Sequence, residues 1–282
     1  LFFQVTHCRN SAYNSMRKHK GSYMDLNQNV NENVDTGTLR IHLTNESNGT
    51  PVQGAKISIS YTGNPSQTIE EVSADDSGNS EELTLNAPPL EYSMEPSEEQ
   101  PYAEYTIRVQ APGYRDITVS AINVLPGETA IQNVRMEAED APGDRNDMVV
   151  IAAHTLYAEY PPKIPEDEIK PMNESGEIVL SRVVIPEYIV VHDGAPGDTT
   201  ASDYYIRYRD YIKNVASSEI YATWPDAAIR ANVLAIMSFT LNRVYTEWYR
   251  GKGYNFTITS STAYDHKFIY GRNYFQSISR VV

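Results

Sequence analysis

A single cysteine, Cys8, stands in a chain of 282 residues, so neither a disulfide framework nor a cysteine-based zinc site can be built. No stretch approaches the roughly 20 consecutive apolar residues that a bilayer span requires. The opening LFFQV is too short, and is followed by charges, so it does not read as a secretory signal. Basic residues are scarce: 23 lysines and arginines face 37 acids, a formal net charge of -14. Arg9, Arg17, Lys18 and Lys20 fall within residues 1–23, which hold no acid, so taking four positive charges from that total leaves residues 24–282 with -18. Such an acidic surface excludes nucleic acid as a partner, and any attachment to an anionic polymer has to rest on local contacts. The chain also lacks a glycine-rich phosphate loop, a GxSxG elbow and a cysteine with a partner histidine. His154, His192 and His266 lie far apart with no local metal-ligand spacing. Neither a metal nor a cofactor is expected.

What is abundant is tyrosine, at 21 residues. Tyrosines suit strands and half-buried surfaces, and a few could offer flat, amphipathic faces to sugars. After a polar, asparagine-rich lead-in at residues 24–36, alternation takes over: Leu39, Ile41 and Leu43 with Arg40 and His42 between them, then Ile57, Ile59 and Tyr61 with Ser58 and Ser60. Turn residues such as Asn48-Gly49 and Gly63-Asn64-Pro65 bound these runs. Further strand-like runs cover Tyr105 to Val109, Ile117 to Ile122 and Ala130 to Met136. Residues 37–137 therefore read as an all-β sandwich. The acidic cluster Glu95, Glu98 and Glu99 reads as a solvated loop.

Ala141-Pro142-Gly143-Asp144 marks a linker over residues 138–147. A connecting region, residues 148–183, holds the short apolar run Met148 to Ala153 and Pro161, Pro162, Pro165 and Pro171, which favour extended chain. Two strand-like runs, Glu177 to Ile185 and Tyr188 to His192, come next. Beyond Trp224-Pro225 a long helix is expected, with Thr223 as its cap and Asp226 at its positive end. Its buried stripe runs through Ile229, Val233, Ile236, Met237, Leu241, Val244 and Trp248. Just before that helix lies Glu219, beside Val215, Ile220 and Trp224, where apolar neighbours can raise a carboxyl pKa toward the range of a general acid.

The segment YIKNVASSE followed by WP and a small-residue helix resembles the catalytic start of the SpoIID/LytB family of peptidoglycan-cleaving proteins. Ser260-Ser261-Thr262-Ala263-Tyr264-Asp265 and Ile269-Tyr270-Gly271-Arg272 resemble the loop after that helix, with His266 where the family usually has glutamine. The likeness spans about residues 184–282 and is strongest to the spore cortex-lytic branch. Upstream, Gly49 to Ile57, Asp76-Ser77-Gly78 and Tyr105 to Tyr114 resemble carboxypeptidase-regulatory-like and Cna-B-like scaffolds. Some of those carry a lysine–asparagine cross-link. Arg40 stands in place of that lysine, so no such bond to Asn133 is expected.

The resemblance implies an all-β sandwich followed by an α+β SpoIID-like domain, incomplete at Val282. It implies lytic transglycosylase chemistry, with Glu219 as acid and base and Tyr211, Trp224, Tyr264, Asp265 and Tyr270 at the substrate. The partner is then peptidoglycan glycan strands, and the location a bacterial spore or cell wall. A non-catalytic peptidoglycan-binding or spore structural protein is the alternative. Residues 1–23 are expected to be untranslated or a disordered lead; Lys20-Gly21-Ser22 before Met24 can be encoded by a purine-rich ribosome-binding site. The chain alone is expected to be inactive, since it stops within an apolar-periodic segment.

Overall fold

The computed structural model describes residues 34–96, 98–143, 147–154, 156, 161–164 and 184–282. In chain order the elements are β1 (Asp35–Asn45), β2 (Lys56–Tyr61), β3 (Thr68–Ser73), β4 (Leu83–Ala87), α1 (Glu91–Met94), β5 (Ala103–Gln110), β6 (Ile117–Val124), β7 (Thr129–Met136) and β8 (Met148–Val150). Then come β9 (Tyr188–His192), β10 (Asp203–Arg207), α2 (Tyr208–Glu219), α3 (Asp226–Tyr245), β11 (Ile258–Thr259), β12 (Tyr274–Phe275) and α4 (Gln276–Val281). The protein is β-rich, with few helices.

Strand alternation does what the pattern predicts. Leu39, Ile41 and Leu43 of β1 are fully buried, while Arg40 and His42 between them are half-buried. One sheet has the order β12-β7-β1-β4 and a second the order β3-β2-β5-β6-β8. β1 runs parallel to β7 and antiparallel to β4. Apolar residues from both sheets, among them Ile41, Ile57, Ile59, Tyr105, Ile107 and Val134, form the sandwich core. The turn Asp75 to Gly78 explains one glycine: φ is +76° there, and a Cβ would sit 2.4 Å from the Leu43 carbonyl oxygen. Asp75 closes the turn by accepting the Ser77 and Asn79 amides.

These two sheets draw on chain from outside residues 37–137. β8, inside the apolar run Met148 to Ala153, pairs parallel with β6, and β12 near the far end pairs antiparallel with β7. Side chains tie the same regions together. Trp224 Nε1 donates to the Ser93 carbonyl at 2.9 Å, and Ser277 Oγ donates to Glu128 Oε2 at 2.7 Å. Residues Glu32–Val282 accordingly form one compact unit.

A third sheet has the order β10-β9-β11, and β10 leads directly into α2, which it contacts. β9 coincides with the expected run Tyr188 to His192. The run Glu177 to Ile185 lies almost wholly outside the described residues. α3 begins at Asp226 as expected, but Thr223 does not cap it: the Thr223 hydroxyl donates to Ser93 Oγ at 2.8 Å, and Pro225 holds the cap position with no side-chain bond. The buried stripe is Ile229, Val233, Ile236, Thr240 and Arg243, with Met237, Leu241 and Val244 only half-buried. The helix stops at Tyr245, before Trp248, in a Schellman turn: Glu247 N–H bonds Val244 O and Trp248 N–H bonds Arg243 O, both at 3.1 Å. Glu247 occupies the left-handed position of that turn with φ of 44°.

Candidate functional site

Glu219 is the last residue of α2, whose Tyr208, Tyr211, Ile212, Val215 and Ala216 form one buried face. Its side chain is half-buried, and Oε1 accepts the Lys267 backbone N–H at 2.9 Å. Burial pushes the Glu219 pKa up, while the Lys267 amide and the Lys163 and Lys267 cations pull it back. A carboxylate at the C-terminal end of a helix also meets the negative end of the helix dipole. The group therefore holds its proton more readily than a solvated glutamate.

The loop that reaches Glu219 is anchored just before it by Asp265. Arg243 Nε lies 2.8 Å from Asp265 Oδ1, while Oδ2 accepts Tyr249 OH at 2.7 Å, Thr259 N–H at 2.9 Å and Thr259 Oγ1 at 2.6 Å. Arg243 also lies over the Phe239 and Trp248 rings. Asp265 is 2% exposed, so it is an interior anchor and not the substrate contact expected of it. Its carbonyl accepts Lys163 Nζ, at 2.6 Å, which brings a residue of the proline-rich region to the site.

His266 is buried and shares a 3.1 Å hydrogen bond between Nδ1 and Tyr211 OH. Burial, together with Lys163 and Arg243, brings the imidazole pKa down to about 3, so the ring is neutral. Tyr211 is wholly buried and stacks on Phe268. It backs the Glu219 region from inside and has no surface to offer a glycan. Asn214, on the next turn of α2, clamps the Ile269 backbone from both sides, donating to its carbonyl at 2.8 Å and accepting its amide at 3.1 Å.

The other expected contacts separate. Trp224 is half-buried at the Ser93 junction, and Tyr264 is half-buried in the loop before Asp265. Tyr270, 38% exposed, stacks on Tyr204 at 4.3 Å and lines a different cleft. That cleft, of about 240 Å³, lies where β6, β7, β8 and neighbouring sandwich loops meet α2, β10 and the 268–274 segment, and Glu219 is not among its lining residues. Lys163, Lys267 and Asn214 carried no sequence signal, because their partners lie 48 or more residues away.

A buried junction joins the parts. Arg272 Nε donates to the Ser217 carbonyl at 3.0 Å, and Nη2 reaches Asn123 Oδ1 at 3.0 Å and His154 Nδ1 at 2.8 Å. Asn123 and Asn273 exchange two further bonds, at 3.1 and 3.0 Å. Among the described residues, no group of three or more His, Cys, Asp or Glu is placed to hold a metal ion, and no helix is long and apolar enough to cross a membrane.

No known family's sequence profile matches the chain. No curated protein matches it either. Solved structures match parts of it at low TM-scores. The TIE protein of Bacillus anthracis is 23% identical over 37% of this chain and 17% of its own, with a TM-score of 0.26. GBS52, the minor pilin of Streptococcus agalactiae, is 13% identical over 40% and 49%, with a TM-score of 0.27. Wild-type catechol 1,2 dioxygenase of Acinetobacter radioresistens is 16% identical over 41% and 58%, also at 0.27. The chain thus spans less than two thirds of each of these proteins, and nothing about its activity follows from them.

Proposed function

We propose that this protein cleaves peptidoglycan glycan strands of the spore cortex in the manner of a lytic transglycosylase, through a SpoIID-like domain held against the sandwich. The observation that supports it most is the half-buried Glu219 carboxyl, with its raised pKa, at the end of a helix whose sequence resembles the catalytic start of that family. In this reading protonated Glu219 gives its proton to the glycosidic oxygen as the C1–O bond breaks. The resulting carboxylate then takes the proton of a hydroxyl on the same sugar as that hydroxyl attacks C1, closing an anhydro ring and restoring the acid. One carboxyl serves twice, which suits a site where Asp265 is fully engaged by Arg243, Tyr249 and Thr259. Lys267 and Lys163 stabilise the intermediate carboxylate. No cofactor or metal takes part in this scheme.

The alternative, a non-catalytic peptidoglycan-binding or spore structural protein, draws on a different observation: Glu219 Oε1 already serves as a latch on the Lys267 amide. Incubation of the full-length gene product with purified cortex peptidoglycan, followed by mass spectrometry of the soluble products, separates the two. Anhydro-muropeptides are expected. Retention on the insoluble wall with no new ends would transfer the protein to the binding class, and reducing ends without anhydro sugars would replace transglycosylation by hydrolysis.

A further inference from the structure

The 240 Å³ cleft beside the sandwich has the chemistry of a small-molecule site in its own right. Two buried polar atoms on its wall have no hydrogen-bond partner among the described residues. One is an acceptor, Gln132 Oε1, in a residue 1% exposed. The orientation of that amide is settled by its other end, because Nε2 donates to both the Asn133 and Gly271 carbonyls at 2.9 Å. The other atom is a donor, Arg115 Nε, on a side chain 12% exposed whose remaining nitrogens are engaged by Glu137 and the Ala141 carbonyl. A buried acceptor and a buried donor left unpaired are costly unless a ligand or solvent satisfies them.

The rest of the lining narrows the ligand. Four arginines and four carboxylates contribute to it, so the wall is neutral as a whole and calls for no net charge on the occupant. Tyr270 and Tyr274 supply aromatic surface. The volume falls below the roughly 300–1,000 Å³ of sites for drug-sized molecules, so it suits one small ring. A neutral molecule with an apolar C–H face and hydroxyls that both donate and accept is a sugar.

We infer that this cleft binds a single neutral sugar ring, with Gln132 Oε1 accepting a hydroxyl, Arg115 Nε–H donating to an oxygen, and Tyr270 and Tyr274 contacting the ring. The inference is independent of the chemistry proposed at Glu219, since no residue of the Glu219–Lys267 pair lines the cleft. It makes the boundary between sandwich and helices a second point of attachment to a polysaccharide.

The test is titration of the whole chain with methyl β-glucopyranoside and with triacetylchitotriose, followed by calorimetry and by the side-chain resonances of Gln132 and Arg115. Binding with a Kd on the order of 1 mM is expected for a ligand of this size, with both resonances shifted. Tyr270→Ala should weaken it about tenfold or more, while Tyr270→Phe, which keeps the ring, should stay within about threefold of wild type. Glu219→Gln should leave it unchanged. The inference is overturned if neither sugar binds, if the Gln132 and Arg115 resonances stay still at saturation, or if binding survives Tyr270→Ala and disappears in Glu219→Gln. The resonance measurement uses the wild-type chain, so it decides the matter even where the alanine variant fails to fold.

Discussion

The sandwich and the region from Tyr188 to Val282 bury different things. Inside the sandwich, burial is mostly aliphatic: Leu39, Ile41, Leu43, Ile57, Ile59 and Ile107 are wholly covered, and the backbone ladders pair most of the polar atoms. The later region encloses Arg243 with Asp265, Arg272, His192, His266 and Asn273. Aliphatic burial stabilises in proportion to area, at about 25 cal/mol per Å², and tolerates change of shape. Buried ions and amides stabilise little in net terms, because desolvation offsets their attraction, yet each demands one geometry. The first region therefore holds the structure together, and the second holds Glu219 in place.

The comparison is broken most severely at Asp265. Asp265→Ala leaves Arg243 buried without its carboxylate and should cost about 3–5 kcal/mol, whereas Ile41→Val in the sandwich should cost about 0.5–1.5 kcal/mol. Urea denaturation of both variants checks this, and a loss under about 1 kcal/mol at Asp265 would show that the ionic interior is as forgiving as the aliphatic one. Asn123 tests the boundary between the regions. It is the sandwich residue that accepts from Arg272 and pairs with Asn273. Asn123→Ala should cost about 1–3 kcal/mol, the range for stranding buried polar partners. It should also speed hydrogen exchange at Lys267 and Ile269, and unchanged exchange there would mean the sandwich does not support the site loop.

pH sharpens the contrast further. His266 is neutral in the fold, with its pKa depressed to about 3, and takes a proton near 6.5 when unfolded. The unfolded chain thus binds more protons between those values, so stability falls as pH drops from about 6.5 toward 3. His266→Gln, which keeps an acceptor for Tyr211, should flatten that part of the curve of melting temperature against pH, while substitutions on the sandwich surface should not. The smallest effect expected is a gain. Glu247 sits at the left-handed end of α3, a position where glycine is free of strain, so Glu247→Gly should raise stability by about 1 kcal/mol in denaturant titration.

How much of this could be read from the chain follows from the same contrast. Alternation exposes β1, β2, β5 and β7, because one face of each is apolar, whereas β6 and β9 are buried on both faces over most of their length and read only as strand-like runs. β3, with the sequence TIEEVS, has four exposed residues at its start and no such pattern. β8 and β12 are short, and pairing with a distant strand creates them. α2 is legible in hindsight: Tyr208, Tyr211, Ile212, Val215 and Ala216 stand at helical spacing, although tyrosine and valine suit strands equally. Glu219 is legible through resemblance and its apolar neighbours. Its partner at Lys267, the strap at Lys163 and the interior role of Asp265 depend on contacts between remote residues, which local pattern does not encode.

The central claim is that Glu219 is kept half-buried for proton transfer and not as a latch. Glu219→Gln keeps the side chain's size and an oxygen for the Lys267 amide while removing the ionisable proton. In the full-length protein, release of anhydro-muropeptides from cortex by this variant should fall by about 10² to 10⁴, with melting temperature at neutral pH equal to or slightly above wild type, since the variant has no buried carboxylate to charge. Retention of more than about a tenth of wild-type release would contradict the account; so would a loss of release accompanied by an equal loss of folded protein.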